Sequence, residues 1–516
     1  MFVLYLLKNI FLVLDIADLN VIVLLVTMVI HSGIVFMVYR RKINPLPHLL
    51  VWYGILILSL VISTMIFDYS WDGQIYHQVT VLHLKNGWNP FYSHAPKSTV
   101  SLYNDCYPKF TELFGSIFSS ICNNIEVGKA YNIVFIMITF CYALRYTGQY
   151  HKNKLAVLVL SIFFVINPVV VAQFFTYLVD GFMGMTIIIL FFACIYFEQE
   201  HDIKDIIIII ATSIFALNTK FTGFICGIVL IGYIFRQFIL KRYKQMTTLI
   251  VSGAIILALG VFFAGFNPYV TNFRDFGHPF YPLFGENKID IIYTINMPKN
   301  LLPMHPIQRF FSLFLLDYEK DNLPFNPLKI TKLSSHGVPD LRTGGFGVFL
   351  AEIFIFISII VFLSMKNNQG RYKAVFFPVL LLAAISIIMP ENWWARYIPY
   401  FWYLFGFFII VSNYSNKQSK ILFFILLLII VINNVSFFAF NTANAIKFTA
   451  EFKQCIAEIK KSKHDTVHLI LGIENFNYAY AEKMMFYNVD KDIIFIINSE
   501  APVNKGVYLS AIRDWY

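Results

Sequence analysis

The sequence predicts an all-α polytopic membrane protein with about twelve transmembrane helices. Of its 516 residues, 58% are hydrophobic and 14% are charged, whereas soluble globular proteins are typically about 25% charged. Apolar runs of about 20 residues, the length that crosses a bilayer, recur along most of the chain. Lysine and arginine collect in short loops, so the formal net charge of +10 indicates membrane topology rather than binding to nucleic acid.

The apolar runs predict where each helix lies. Continuous spans are expected near 20–38, 49–67, 129–147, 155–173, 181–198, 248–266, 346–364, 374–389, 397–412 and 420–438. The apolar stretch 203–236 is interrupted at Asn218–Gly223, so we expect two short helices that meet at this break. Residues 2–14 are interrupted by Lys8 and precede no small-residue cleavage site, which favours an interfacial helix or a short first span over a signal peptide.

The positive charges predict which loops share a side of the membrane. Basic clusters follow or precede alternate spans, at Arg40–Lys42, Arg145–Lys154, Arg236–Lys244, Lys366–Lys373 and Lys417–Lys420. If the spans are correct, these clusters all fall on one side, which is expected to be cytoplasmic. The long polar segments then share the extracytoplasmic side; they are the loops 68–128 and 267–345, the short loop 390–396 and the C-terminal tail.

We divide the chain into a transmembrane domain, 1–440, and a small extracytoplasmic C-terminal α/β segment, 441–516. Within the tail, Thr466–Ile473 and Asp492–Asn498 have the composition of strands, and Tyr478–Tyr487 has that of a helix. At about 75 residues the tail is near the lower limit for an independent core. We therefore expect it to depend on the membrane domain for support.

The first external loop places Asp68 and Asp72 directly after a predicted span. If the helix continues, the two aspartates share a face with Tyr76. Ionisation is costly for a carboxylate at the membrane edge, which suits a general base. Asp72 is the preferred base because Trp71, Gln74 and Tyr76 around it can stack on sugar faces and bond to hydroxyls. The alternative is that both aspartates only mark where the span meets water.

Two cations lie where the positive-inside trend does not predict them. Arg396 begins a span on the external side, and Lys220 lies in the break between the two short helices. An edge-buried guanidinium can bind a phosphate bidentately, and broken helices at membrane depth are tolerated where they line a cavity. Both residues are thus candidate phosphate ligands. The alternative for Arg396 is a snorkelling side chain beside an aromatic belt.

Further residues are candidates for contacts with the substrate. The segment 267–282, which opens the largest external loop, combines turn residues with aromatic and polar side chains, and it can line a carbohydrate groove or simply fold the loop back. The substrate-binding candidates are Asp68, Trp71, Gln74, Tyr76, His77, Arg274, His278 and Trp394. The histidines lack the converging spacing of metal ligands, so we favour neither a divalent metal nor another cofactor.

In these features the chain resembles the GT-C superfamily of integral-membrane glycosyltransferases. The similarity rests on Phe-Asp-Tyr-Ser-Trp-Asp-Gly at 67–73, on Asn-Pro pairs at 167–168 and 267–268, and on Trp-Trp-Ala-Arg-Tyr at 393–397. It covers most of 45–440, and these segments look similar to bacterial members that act on envelope polysaccharides.

The resemblance implies a reaction and roles for particular residues. The donor would be a polyprenyl-phosphate sugar, and the acceptor would be a cell-envelope glycan or lipid-linked molecule on the extracytoplasmic face of the cell membrane. By position, Asp72 would deprotonate the acceptor hydroxyl, and Arg396 and Lys220 would stabilise the lipid phosphate as it leaves.

Two other functions fit a chain with many spans. A polysaccharide polymerase of the O-antigen type would concentrate arginine in a large external loop, but Arg274, Arg309 and Arg342 are scattered. A lipid or polysaccharide transporter would favour charges within the spans and internal pseudo-symmetry. Few such charges are present, Glu352 among them, and the sequence shows no repeat.

Overall fold

The computed structural model of the chain describes residues 1–516 except 17, 40–43, 99, 290–295, 316–335, 342–344, 366–368, 413–416, 463–465, 472–476, 498–507 and 511–516. The described residues are predominantly helical, and three short strands lie in the tail. The basic residues Arg40–Lys42 and Lys366, and Arg342 of the loop 267–345, lie outside the described residues.

The helices follow one another along the whole chain. They are α1 (Phe2–Val13), α2 (Asn20–Tyr39), α3 (Leu46–Met65), α4 (Gln78–Lys85), α5 (Ser101–Cys106), α6 (Phe110–Cys122), α7 (Tyr131–Tyr150), α8 (Lys154–Val165), α9 (Pro168–Ala172), α10 (Asp180–Glu200), α11 (Ile203–Thr219), α12 (Ile225–Ile239), α13 (Tyr243–Leu257), α14 (Thr271–Phe276), α15 (Pro306–Leu315), α16 (Leu350–Met365), α17 (Gln369–Ile388), α18 (Trp402–Val411), α19 (Lys417–Lys461) and α20 (Asn477–Phe486).

Eight of the described helical segments are long and apolar enough to cross a membrane, judged by length and composition. They are Asn20–Val38, Leu46–Met65, Ile125–Tyr150, Asp180–Glu200, Phe221–Ile239, Tyr243–Phe263, Gln369–Ile388 and Lys417–Lys461. This gives the chain the all-α architecture of a multi-pass membrane protein. The other four predicted spans fall on helices that do not meet this criterion, α8, α11, α16 and α18, so the count of about twelve stays a prediction.

Two predicted spans differ from the helices observed. The run 155–173 is split, because α8 ends at Val165 and Asn167 begins a new helix by accepting a hydrogen bond from the backbone N–H of Val169. The run 420–438 continues as α19, whose 45 residues extend about 67 Å. A bilayer core is only about 30 Å thick, so α19 carries the chain well beyond it. The predicted domain boundary at residue 440 falls inside this helix.

The central helix α10 connects two polar faces of the bundle. Almost all of its residues are buried, and it extends about 30 Å from Asp180 to Glu200, close to the thickness of a bilayer core. At the Glu200 end, Arg145 lies 2.7 Å from Glu200, and Arg236 lies 2.7 Å from Glu198. Two of the predicted basic clusters therefore share one face, and the Asp180 end of α10 belongs to the opposite face.

The tail packs against the loop 68–128. Strand β1 (Thr466–Leu471) pairs in parallel with β2 (Asp492–Ile497) and with β3 (Tyr508–Ser510), in the order β2-β1-β3. Helix α20 connects β1 to β2, and its Tyr480 stacks on Phe452 of α19 at 4.9 Å. Both rings belong to one buried cluster with Phe67. The tail therefore contacts the segment that leads from α3 to Asp72.

Candidate active site

A large cavity opens on the face that contains the Asp180 end of α10. Its volume is 1430 Å³, and it is lined by the loop 68–128, the junction of α11 with α12, residues 280–289 and the loop that follows α17. Ile225, Ile228 and Ile231 of α12 form part of its wall. Ile231 is 66% exposed, and α12 belongs to a candidate membrane span. The cavity thus reaches the apolar outer surface of the helix bundle.

Five charged side chains, which we term the site cluster, meet beside this cavity: Asp72, Asp180, Lys220, Asp340 and Arg396. All of them except the buried Asp180 line it. Asp180 accepts from Lys220 Nζ at 2.6 Å and from Arg396 Nε at 2.8 Å, through different carboxylate oxygens. Arg396 Nη2 donates to Asp72 Oδ2 at 2.7 Å, and its Nη1 lies 3.9 Å from Asp340 Oδ1. Residues distant in sequence are therefore joined into one ion-pair network.

Breaks in the helices bring the two cations to the network. Lys220 is an extended residue between the end of α11 and a 3₁₀ turn, Phe221–Phe224. Arg396 lies in another 3₁₀ turn, Ala395–Tyr397, between α17 and α18. Lys220 Nζ lies 3.8 Å from the centroid of the Tyr397 ring, a cation–π distance. The aromatic residue beside Arg396 thus also orients Lys220.

Asp180 is the fully buried member of the site cluster. It begins α10, where the helix dipole favours a negative charge. Gln173 Nε2 donates to Asp180 Oδ2 at 3.1 Å, and Gln173 Oε1 accepts from the backbone of Gly181 at 2.8 Å. A buried carboxylate is costly unless it is paired and hydrogen-bonded. Lys220 and Arg396 meet this requirement, and Asp180 in turn fixes the positions of both cations.

Asp72 is the more accessible acid, since 28% of its side chain is exposed. It directly precedes a π-helical segment, Gly73–His77, that leads into α4. A π-turn inserted in a helix is frequently found at functional sites. Asp72 thus combines access to the cavity with a direct contact to Arg396.

Asp68 does not share a face with Asp72, because α3 ends at Met65 and residues 67–70 are not helical. Its carboxylate accepts from the backbone N–H groups of Ser70 and Tyr177, at 2.7 and 2.9 Å. Burial, together with the neighbouring Glu126, raises the pKa of Asp68 to about 6. Asp68 does not line the cavity. It stabilises the turn that presents Asp72.

The structure separates the other substrate-binding candidates into two groups. The residues that line the cavity are Trp71, Tyr76, His77 and Trp394. Gln74 is buried away from it. Arg274 is exposed and pairs with its neighbour Asp275 at 2.6 Å, beside a small second pocket. His278 accepts from the backbone N–H of Phe280 and does not line the cavity either.

Sequence reasoning missed Asp180. Its position directly before an uncharged apolar run indicated only the start of a span. The one available signal was an acid at the first turn of a helix whose other end lies at the basic face. Its partners are 40 and 216 positions away in sequence, so no local pattern predicts the contacts.

No protein-family model, curated protein or solved structure matches the chain. The function must therefore be inferred from the residues of this chain. Together, the site cluster offers two basic side chains and three carboxylates, of which Asp72 is the most exposed, beside a cavity whose wall is partly apolar. Such a site can hold an anionic headgroup, accommodate an apolar chain and accept a proton.

Proposed function

We propose that this protein is a membrane glycosyltransferase of the GT-C type. It would transfer a sugar from a polyprenyl-phosphate donor to a cell-envelope glycan or lipid-linked acceptor. The observation that carries the proposal is the meeting of Asp72, Lys220 and Arg396 at one cavity that borders the outer surface of a candidate membrane span. A polyprenyl-phosphate sugar matches this cavity, because its charged head fits the charged residues and its long apolar tail fits the apolar wall.

The donor phosphate would bind between Arg396 and Lys220. A guanidinium can hold two phosphate oxygens, and an ammonium adds a point charge. The polyprenyl chain of the bound donor would extend along Ile228 and Ile231 toward the lipid. Asp180 holds both cations in place before the donor arrives, so little reorganisation is needed during the reaction.

In the transfer step, Asp72 would take the proton from the acceptor hydroxyl. The oxygen would then bond to the anomeric carbon as the bond from that carbon to the phosphate oxygen breaks. The phosphate would leave with the bonding electron pair, and Arg396 and Lys220 would stabilise its increased negative charge. The 2.7 Å contact between Asp72 and Arg396 supports this division of roles, because it brings the base close to the phosphate ligand.

The proposal includes the orientation of the chain in the cell membrane. We infer about twelve spans, with α8, α11, α16 and α18 crossing beside the longer helices. The loops 68–128 and 267–345 and the α/β tail would then be extracytoplasmic. The support is the arrangement of charges, since Arg145 and Arg236 lie at the opposite end of the bundle from the site cluster.

A transfer assay with purified protein in nanodiscs tests this function. Radiolabelled polyprenyl-phosphate hexoses and pentoses are supplied in turn, with an envelope glycan fraction as acceptor. We expect one donor to label the acceptor, and Asp72→Asn to lower the rate about 10²- to 10⁴-fold, the usual contribution of a general base.

The matched control is Asp202→Asn. Asp202 lies on the opposite face, where it caps α11 by accepting from the backbone of Lys204, and asparagine caps a helix as well as aspartate does. This variant should retain the wild-type rate. Equal rates in wild type and Asp72→Asn would refute the base assignment, and labelling from none of the donors would refute the proposed function.

A further inference from the structure

His77 and Glu112 form a second polar pair in the wall of the same cavity. His77 Nδ1 is hydrogen-bonded to Glu112 Oε1, and both residues line the cavity while being more than nine-tenths buried. His77 ends the π-helical segment that begins directly after Asp72. The pair is therefore positioned by the same segment as the proposed base, but it is bonded to no member of the site cluster in the described contacts.

The pair leaves one polar atom of the imidazole for a ligand. Because a carboxylate faces Nδ1, the proton of a neutral ring is held on Nδ1, and Nε2 carries the lone pair. Nε2 is buried and has no hydrogen-bond partner among the described residues. Buried polar atoms are nearly always bonded, so this unbonded nitrogen of a cavity-lining residue is the atom that a ligand's donor group would satisfy.

The surroundings of His77 indicate which donor group fits. The Tyr76 ring lies 4.2 Å from the imidazole and stacks on Tyr103 at 5.6 Å. Tyr76, Tyr103 and Tyr107 all line the cavity. Aromatic rings beside a hydrogen-bond acceptor suit a sugar ring, which presents C–H groups on its faces and hydroxyls at its rim.

Lys109, a cation in the same cavity wall, does not provide a second phosphate site beside His77. Lys109 also lines the cavity, but its Nζ donates to the backbone carbonyls of Asp105 and Tyr107, at 3.0 and 2.7 Å, and to Asn267. Its hydrogen-bonding capacity is used by these three acceptors. A neutral hydroxyl donor thus suits the His77 region better than a second phosphate.

We propose that His77 and Glu112 form the subsite for the acceptor sugar. This inference rests on the proposed function and specifies its acceptor side. His77 Nε2 accepts a hydrogen bond from a sugar hydroxyl other than the one that reacts, and Glu112 positions the imidazole ring of His77. We assign the pair to the acceptor and not to the donor, because Asp72 must contact the acceptor and the π-helical segment that ends at His77 directly follows Asp72.

Two isosteric substitutions separate the two ring nitrogens. In His77→Asn the amide nitrogen can replace Nδ1 opposite Glu112, but nothing replaces Nε2. In His77→Gln the longer amide reaches the Nε2 position. With methyl hexopyranosides as soluble acceptor probes, we expect His77→Asn to raise the acceptor KM at least tenfold and to change the donor KM less than twofold. His77→Gln should recover much of the loss, and Glu112→Gln should raise the acceptor KM with little effect on the donor KM.

A binding measurement keeps this test independent of transfer. Trp71 and Trp394 line the cavity, so glycoside binding can be followed by the quenching of tryptophan fluorescence. Wild type should show saturable quenching, and His77→Asn should require at least tenfold more glycoside.

If wild type transfers sugar but His77→Asn matches it in acceptor KM and in quenching, the subsite assignment is wrong and the proposed function stands. Weaker glycoside binding by His77→Asn without transfer in wild type would retain the sugar subsite and refute the transferase. A donor KM raised by His77→Asn would also overturn the assignment, and the melting temperature of each variant shows whether the fold is retained.

Discussion

Asp180→Asn tests whether the site cluster depends on its buried carboxylate. The substitution preserves shape and removes one negative charge from a residue whose side chain has no exposed surface. Oδ2 accepts from both Arg396 and Gln173, whereas Oδ1 accepts from Lys220. The asparagine oxygen should therefore take the Oδ2 position, and its amide group should face Lys220, donor against donor.

The size of the effect follows from the partners that remain. Removing one member of a buried ion pair costs about 3–5 kcal/mol. Arg396 keeps Asp72 and the more distant Asp340, so most of the loss falls on Lys220. Lys220 is 21% exposed and still lies over the Tyr397 ring. We therefore expect a loss near the lower end of that range, about 3 kcal/mol of unfolding free energy.

A double-mutant cycle measures this coupling. Equilibrium unfolding in mixed micelles is compared for wild type, Asp180→Asn, Lys220→Met and the double variant. The double variant should lose little more than Asp180→Asn alone, because the carboxylate and the ammonium act as a pair. Asp202→Asn, at a partly exposed residue on the opposite face, serves as the control and should unfold like wild type. Additive losses, or an Asp180→Asn variant as stable as wild type, would contradict the network described above.

Two further substitutions examine the turn before Asp72 and the docking of the tail. A Cβ at Gly73 would lie 1.9 Å from Asp68 Oδ2, so Gly73→Ala should displace the turn and lower the transfer rate at least tenfold, measured in the transfer assay. Lys483 Nζ of α20 lies 2.9 Å from Glu126 Oε1, and both side chains are buried. Lys483→Met should weaken the attachment of the tail, which limited proteolysis would detect as faster cleavage after α19.

Each of these predictions has a control in the chain. A Cβ added at Gly33 would meet no heavy atom within 4 Å, so Gly33→Ala should retain the wild-type transfer rate. Lys460 is exposed near the end of α19, and Lys460→Met should leave the proteolysis pattern unchanged. A normal rate in Gly73→Ala, or unchanged cleavage in Lys483→Met, would show that these contacts do not support the site or the tail.

The sequence predicted the members of the site cluster that depart from a local rule. Lys220 and Arg396 are cations on the side where cations are rare, and Asp72 follows a span among aromatic and polar residues. Asp180 departs from no such rule, because an acid at the start of an apolar helix is ordinary. Only the packing of α10 against the breaks at Lys220 and Arg396 reveals its role.

The prediction for Asp68 depended on a helix that does not continue. Spacing places Asp68 and Asp72 on one face only if the chain stays helical past Met65, but the backbone leaves the helix there. Two contacts replace the next helical turn: Asp68 accepts from Tyr177, and its backbone N–H donates to Glu126. Both partners are distant in sequence, so periodicity cannot predict them.

The long extension of α19 was present in the sequence as a weaker pattern. Beyond residue 440, buried Ala445, Phe448, Phe452, Ile456 and Ile459 recur every three or four positions, as in an amphipathic helix. The change from apolar to mixed composition suggested a domain boundary instead. The apolar content of a segment indicates whether lipid or water surrounds it, whereas the spacing of its apolar residues indicates whether the helix continues.

The position of the bound donor phosphate shows whether Arg396 and Lys220 are its ligands. A cryo-electron microscopy structure of the Asp72→Asn variant with the polyprenyl-phosphate sugar would show where the headgroup binds. We predict that the phosphate lies within about 3 Å of Arg396 and Lys220, with the sugar beside residue 72 and the lipid chain along Ile228 and Ile231. A phosphate bound at Arg274, or at the Arg145 face of the bundle, would show that Arg396 and Lys220 do not bind the donor.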